Sequence, residues 1–450
     1  MNRTSRILEA APNRPPASPA ECLLNHALFW LVLATAIGVV LAAQLLWPGL
    51  SLGGGLTYGR LMPLHTNFNL FGWCGLGLVG LLFAIYPKTM SREMSPGVQL
   101  WIWFWSGALA LGGFSWVTGH TTGKIFLDWT GSPRWFFLAV MIGLWVILGL
   151  ATFHEVKSQS WQERLRSWRL WLWPAMLLAP LGMALATQTH RYPPINPDSG
   201  GATGTSLFGS TLSVVAMLLL LPVLLRRPRS GDKVYRAAWM VFFAQAGAFA
   251  LMNHHHVSNK DPKQVLALAS LGIWIPLLAW VYGRVSWKPS LRHWLRSLAW
   301  WGLLLWLNGL VIFLPGVLIN AKFTQVLVGH AHLAMAGFSS SFLVVVLGHL
   351  SFRGADVFGR RAGFWSWHLA VNGLVFCLTG LGVLEILGHN VSFPTAPIHQ
   401  TLLFGRLMAG MVMFGVAMSW WWRSALAAIL ANPGTNLFQR GWKRYEALHS

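Results

Sequence analysis

Charge is scarce in this chain. Of 450 residues only 10% are Asp, Glu, Lys or Arg, against about 25% in a soluble domain. Acids are scarcest: 12 carboxylates stand against 33 Lys and Arg. Cysteine is nearly missing. Cys22, Cys74 and Cys377 are too few and too scattered for a disulfide framework or a thiolate metal site. No C-x-x-C-H occurs, which excludes a covalently attached c-type haem. No hydrophilic stretch is long enough for a separate soluble domain; the longest outer connection is THRYPPINPDSGGATG at 189–204. The polar, proline-rich start lacks the basic–apolar–small layout of a cleaved signal and reads as a short tail.

What the chain has is apolar length. It is 55% hydrophobic, in repeated runs of about 20 residues, each enough to cross a bilayer as a helix. The runs predict an all-α polytopic membrane bundle of about twelve spans. They fall near 24–47, 61–87, 98–119, 135–154, 170–187, 204–225, 235–253, 264–282, 297–318, 324–350, 363–387 and 400–422. The expected organisation is a tail at 1–22, one membrane domain at 23–423 and a second tail at 424–450. The 28 tryptophans suit rings at the two lipid–water interfaces.

The formal net charge of +21 is a topology signal, not a nucleic-acid signal. Twenty-five basic residues fall on the side that holds both termini. Seven fall on the other: Arg60, Lys124, Arg134, Arg191, Lys260, Lys263 and Lys322. By the positive-inside rule both termini are cytoplasmic. The expected partner of the surface is membrane lipid, and the expected location is a bacterial inner membrane.

Polar residues inside spans are costly and tend to face the bundle interior, where they mark function. Several of the 16 histidines, including His26, His154, His293, His349, His368, His389, His399 and His449, sit at helix ends or in loops and read as interfacial or capping groups. Three groups differ. His65 lies early in span two, in LMPLHTNFNLFGW. His254, His255 and His256 end span seven, in ALMNHHHVSNKDP. His330 and His332 lie early in span ten, in QVLVGHAHLAMAGF. All three groups fall at one depth, near the outer face. Helical residues two apart diverge by about 200°, so His330 and His332 point to opposite sides and can each offer a ligand to a different haem. His65 could complete a six-coordinate haem with one of them. The other would hold a five-coordinate haem whose free face can take a small gas. His255 and His256 could reach one metal at a loosened helix end, and imidazole suits copper and iron alike.

These residues resemble the large subunit (subunit I) of the haem–copper oxidase superfamily, nearest to C-type cytochrome c oxidases and nitric oxide reductases. HTNFNLFGW is similar to the family's span-two segment and HAHLAMAGF to its span-ten segment. The histidine pair followed by proline is matched by His255, His256 and Pro262. The resemblance implies a twelve-helix core with His65 and His332 on a low-spin b-type haem. It makes His330 the proximal ligand of a high-spin haem, and His255 and His256 the ligands of a distal copper or non-haem iron. His254 is an alternative member of that pair. Arg406, inside the last span, needs an anion and is a candidate partner for haem propionates. Arg60, five residues before His65, is either a second such partner or an interfacial anchor.

The chain departs from the family pattern on the distal side. Span six, GGATGTSLFGSTLSVV, has no histidine; the nearest is His190 in the outer loop, 65 positions before His255. His190 could substitute by folding back. Where C-type enzymes carry a tyrosine six residues before the pair, this chain has Phe249. Embedded acids amount to Glu385 and Asp128, and Ser339, Ser340 and Ser341 form a hydroxyl run that also suits helix packing. The expected function is a respiratory-type oxidoreductase. It takes electrons from an outer-side cytochrome c or cupredoxin-like subunit and reduces oxygen or nitric oxide. The alternative is a non-catalytic b-type cytochrome for electron relay or gas sensing. A haem-free transporter would need broken helices at a midplane site, which histidines clustered at one outer depth do not suggest.

Overall fold

Helices begin where a cap precedes an apolar run. Ser18 caps the first, accepting from the Glu21 backbone N–H at 3.4 Å with Pro19 in the opening turn, where its missing N–H costs nothing. This start lies within the expected tail, because the cap extends the helix beyond the apolar run. The computed structural model describes residues 18–50, 52–85, 96–157, 159–195, 207–225, 233–251, 262–314, 316–351, 353–388 and 396–431.

The long helices, in chain order, are α1 (Pro19–Leu46), α2 (Tyr58–Phe83), α3 (Pro96–Val117), α4 (Gly131–Lys157), α5 (Arg169–Ala186), α6 (Leu207–Leu224), α7 (Lys233–Ala250), α8 (Val265–Gly283), α9 (Pro289–Ile312), α10 (Gln325–Leu350), α11 (Arg361–Ile386) and α12 (Pro397–Ala431). Among the described residues, 10 of them are long and apolar enough to cross a membrane. Of the other two, α7 carries Lys233, Arg236 and Gln245 in 18 residues. The fold is an all-α membrane bundle, and no strand occurs among the described residues. Helix α12 continues eight residues past the expected boundary at 423, through Ser424–Ala431, a segment of good helix formers.

The main core joins α1, α2, α3, α10, α11 and α12, with α1 lying along α12, α12 along α11 and α11 along the start of α10. Two of these helices are not regular. A π-helical turn at Phe68–Gly75 interrupts α2, and another at Leu333–Ser339 interrupts α10. A widened turn frees carbonyls that need donors. Trp105 Nε1 donates to Phe71 O at 3.0 Å and Trp367 Nε1 to Ala336 O at 3.0 Å. The hydroxyls of Ser340 and Ser341 donate to Met335 O and Gly337 O at 2.9 and 2.7 Å. The serine run thus pins the second π turn.

Candidate haem site

Both π turns lie directly after a candidate histidine. His65 lies three residues before the first and His332 one residue before the second. The two rings face each other with centroids 5.9 Å apart and planes 26° from parallel. His65 Nδ1 is 2.8 Å from Ala34 O, and His332 Nδ1 is 2.8 Å from Val328 O. A backbone carbonyl only accepts, so each Nδ1 carries the proton and each Nε2 keeps its lone pair. This is how a metal-binding imidazole is usually oriented from behind. Gly38 makes the approach of α1 possible: a Cβ there would sit 2.8 Å from His65 Cε1.

A cavity of about 250 Å³ opens between these rings, walled mostly by apolar side chains from α1, α2, α10, α11 and α12. Its cation is Arg406, 7% exposed. Arg406 Nη1 donates to Gln325 Oε1 at 3.1 Å, and the Gln325 backbone N–H donates to Glu385 Oε2 at 2.7 Å. Glu385 thereby satisfies an orphan donor at the start of α10. Arg60 does not line this cavity; its Nη1 donates to Val117 O at 3.3 Å, at the end of α3.

His330 faces the other way. It lines a second cavity of about 750 Å³, a slot along α9 that reaches from Arg292 to Phe313. Its Nδ1 is 2.8 Å from Asn308 Oδ1, and a Cβ on Gly309 would lie 3.4 Å from its Cε1. With the amide oxygen toward the ring, Nδ1 again carries the proton and Nε2 is left free. Ser339 lines this cavity and Ser340 the smaller one.

The donor set fits haem. Two neutral imidazoles with free Nε2 atoms line one cavity with ring centres 5.9 Å apart and would hold its iron. The walls are apolar, and a buried arginine is available for an anionic substituent.

The remaining candidates fall elsewhere. His254, His255 and His256 lie outside the described residues. His190 is exposed in a turn and lines neither cavity. Among the described residues, no group of three or more His, Cys, Asp or Glu is placed to hold a metal ion. Phe249 packs against the cluster of α6, α7 and α8, and Tyr235 Oη donates to Leu219 O at 2.7 Å. His368 is not interfacial: it is 6% exposed, packs on Phe364 and Trp294, and accepts from Trp301 Nε1 at 2.9 Å. A span starting near a basic loop looked like an interface, but neighbouring indoles bury this position.

Asp128 is fully buried in the 118–130 loop, beside cavity-lining Ile125 and Phe126. Its Oδ1 accepts from Thr122 N–H and Oγ1–H, each at 2.6 Å, while Oδ2 is buried without a hydrogen-bond partner. Burial pushes its carboxyl above the usual range, against the Thr122 hydrogen bonds and the charge of Lys124. Leu127 (φ 62) beside it and Phe323 (φ 66) on the other wall are non-glycine residues in the left-handed region, a strain that collects at functional sites.

Sequence reasoning missed Asn308, Gln325 and Gly38. Only Asn308 gave a usable signal, as an amide alone in the apolar run LLLWLNGLVIF.

The family model described as "Cytochrome C and Quinol oxidase polypeptide I" matches residues 22–430. A "Cytochrome c oxidase subunit 1 homolog" of Agrobacterium tumefaciens (strain T37) is 30% identical over 127 residues, 28% of this chain and 23% of that protein. The "Cytochrome c oxidase subunit 1 homolog, bacteroid" of Bradyrhizobium diazoefficiens is 21% identical over 396 residues, 80% of this chain and 70% of the relative. A "Cbb3-type cytochrome c oxidase subunit CcoN1" of Stutzerimonas stutzeri is 31% identical over 105 residues, 22% of each chain. The match thus spans under a quarter of the length of the first and third of these relatives.

Proposed function

The chain belongs to the cytochrome c and quinol oxidase polypeptide I family, and from that premise we propose that it is the haem-bearing subunit of a membrane oxidoreductase that reduces oxygen or nitric oxide. The observation that carries this reading is the tautomer common to His65, His332 and His330. Each has Nδ1–H engaged by an oxygen at 2.8 Å and Nε2 left free.

Bound haem supplies one-electron chemistry and, where an axial position stays open, a place for a gas. The side chains divide the remaining work. His65 and His332 would hold a low-spin b-type haem through their Nε2 atoms. Arg406, held by Gln325, neutralises a propionate, and the apolar walls exclude water. Arg60 anchors the end of α3 and is a weaker propionate partner. His330 offers Nε2 to a high-spin haem in the larger cavity. His255 and His256, with His254 as an alternative and His190 as a third donor, would hold a distal copper or non-haem iron. Electrons enter from a cytochrome c or cupredoxin-like subunit on the outer side. The surrounding membrane is a bacterial inner membrane with both termini cytoplasmic.

Reduced-minus-oxidised and carbon monoxide difference spectra of the wild type and His330→Ala test this. The expected result is b-type bands in both proteins, with the carbon monoxide response lost only in the variant. Absence of haem bands from the wild type overturns the reading. A second reading, a non-catalytic b-type cytochrome, is favoured by one feature: no histidine occurs between His190 and His254. Haem without carbon monoxide binding and without a further metal would select it.

A further inference from the structure

The three imidazoles share a tautomer but differ in what holds it. His65 and His332 donate to backbone carbonyls, of Ala34 and Val328. Such an acceptor has one polarity, and no side-chain change can replace it. His330 instead donates to a side-chain amide, Asn308 Oδ1 at 2.8 Å.

An amide has an acceptor end and a donor end. With Oδ1 toward the ring, Nδ1 carries the proton and Nε2 is free to bind iron. With the amide turned over, Nδ2–H would face the ring and Nδ1 would have to accept. The proton would then sit on Nε2 and block ligation. The orientation of Asn308 therefore decides whether His330 can be a ligand. The adjacent residue of α9 adds the space: Gly309 has no side chain, and a Cβ there would already touch the ring at 3.4 Å.

Acceptor strength matters as well. A carboxylate behind an imidazole pulls on Nδ1–H, makes the ring more basic and favours the oxidised metal; an apolar group does the reverse. An amide presenting Oδ1 keeps the proton on Nδ1 without adding a charge to an apolar slot.

We propose that Asn308 is the positioning residue of His330, holding its ring in the ligating tautomer and setting the basicity with which it binds the iron of a haem in the larger cavity. The proposal rests on the haem reading of His330 given above.

The test uses the full-length membrane protein with Asn308→Asp and Asn308→Leu, both close to asparagine in size. The readouts are the iron–histidine stretching band of the reduced high-spin haem and the midpoint potential of each haem. Asn308→Asp is expected to raise the stretching frequency and lower the high-spin potential. Asn308→Leu is expected to lower the frequency, raise that potential and weaken haem binding in the larger cavity by roughly 10- to 100-fold. The low-spin bands stay unchanged in both and report that the bundle has folded. If both variants keep the wild-type frequency and potential while binding carbon monoxide, Asn308 is only a packing residue and the proposal is overturned. If the wild type itself shows no iron–histidine band and no carbon monoxide response, the haem reading of His330 fails first and takes the proposal with it.

Discussion

The rings of His65 and His332 stand 5.9 Å apart, each anchored from behind by a backbone carbonyl and each followed within three residues by a π-helical turn. The anchors lie on α1 and α10, so the spacing depends on how closely those helices approach α2. Small residues and stray hydrogen-bond donors around the pair therefore control a distance that their own identities do not suggest.

Gly38 is the tightest of these controls. Gly38→Ala adds a Cβ at 2.8 Å from His65 Cε1 and 3.0 Å from the Nδ1 that Ala34 O holds, so the ring must shift against its own hydrogen bond. Overpacking of this kind costs about 1–3 kcal/mol. The expected outcome is a shifted or diminished low-spin absorption band with the carbon monoxide response intact. An unchanged low-spin spectrum would show that α1 gives way instead of the ring.

Arg406 is the cation of the smaller cavity. Removing a positive charge beside a haem favours the oxidised iron, so Arg406→Leu should lower the low-spin midpoint potential. Each tenfold change in the redox equilibrium appears as about 59 mV. Gln325→Leu, which frees the guanidinium from its partner at 3.1 Å, should move the same potential by a smaller amount. A redox titration that finds the high-spin haem shifted more than the low-spin haem contradicts the placement.

Trp367 supplies a donor to the second π turn through Ala336 O. Trp367→Phe leaves that carbonyl unsatisfied, at a cost of about 1–3 kcal/mol. The thermal midpoint should fall, and the low-spin band should broaden because His332 ends the helical turn just before. A variant as stable as the wild type would mean that the turn has another donor.

Asp128 has its pKa raised by burial, so the folded chain keeps this proton to higher pH than the unfolded chain. The resulting stability is complete below the unfolded value and drains away as pH rises through the folded value. Across that window the wild-type thermal midpoint should decline, while Asp128→Asn, which does not titrate, should stay flat. Equal slopes in the two proteins would place the titration elsewhere.

Much of this arrangement was legible in the chain itself. Apolar run length announces the membrane bundle. The two-residue spacing of His330 and His332 sends them to opposite sides through helical geometry alone. His332 and Val328 are four apart, so even that hydrogen bond follows from the helix. Arg406 stood out because a cation in an apolar span needs a partner. Ala34, 31 positions before His65, and Asn308, 22 before His330, could not be assigned, because nothing in a sequence states which helices touch. Where a span crosses was equally hard to read near polar residues: α7, with Lys233 and Arg236, is not among the helices apolar enough to cross.

By itself, then, the sequence determined the solvent, the helix periodicity and the residue types able to bind a metal, because these depend on local composition and on a fixed turn of 100°. Only the tertiary structure decided which rings meet, which nitrogen each leaves free, and which cavity each faces. Those outcomes depend on contacts between residues far apart in the chain, down to one missing Cβ at Gly38 and one amide at Asn308.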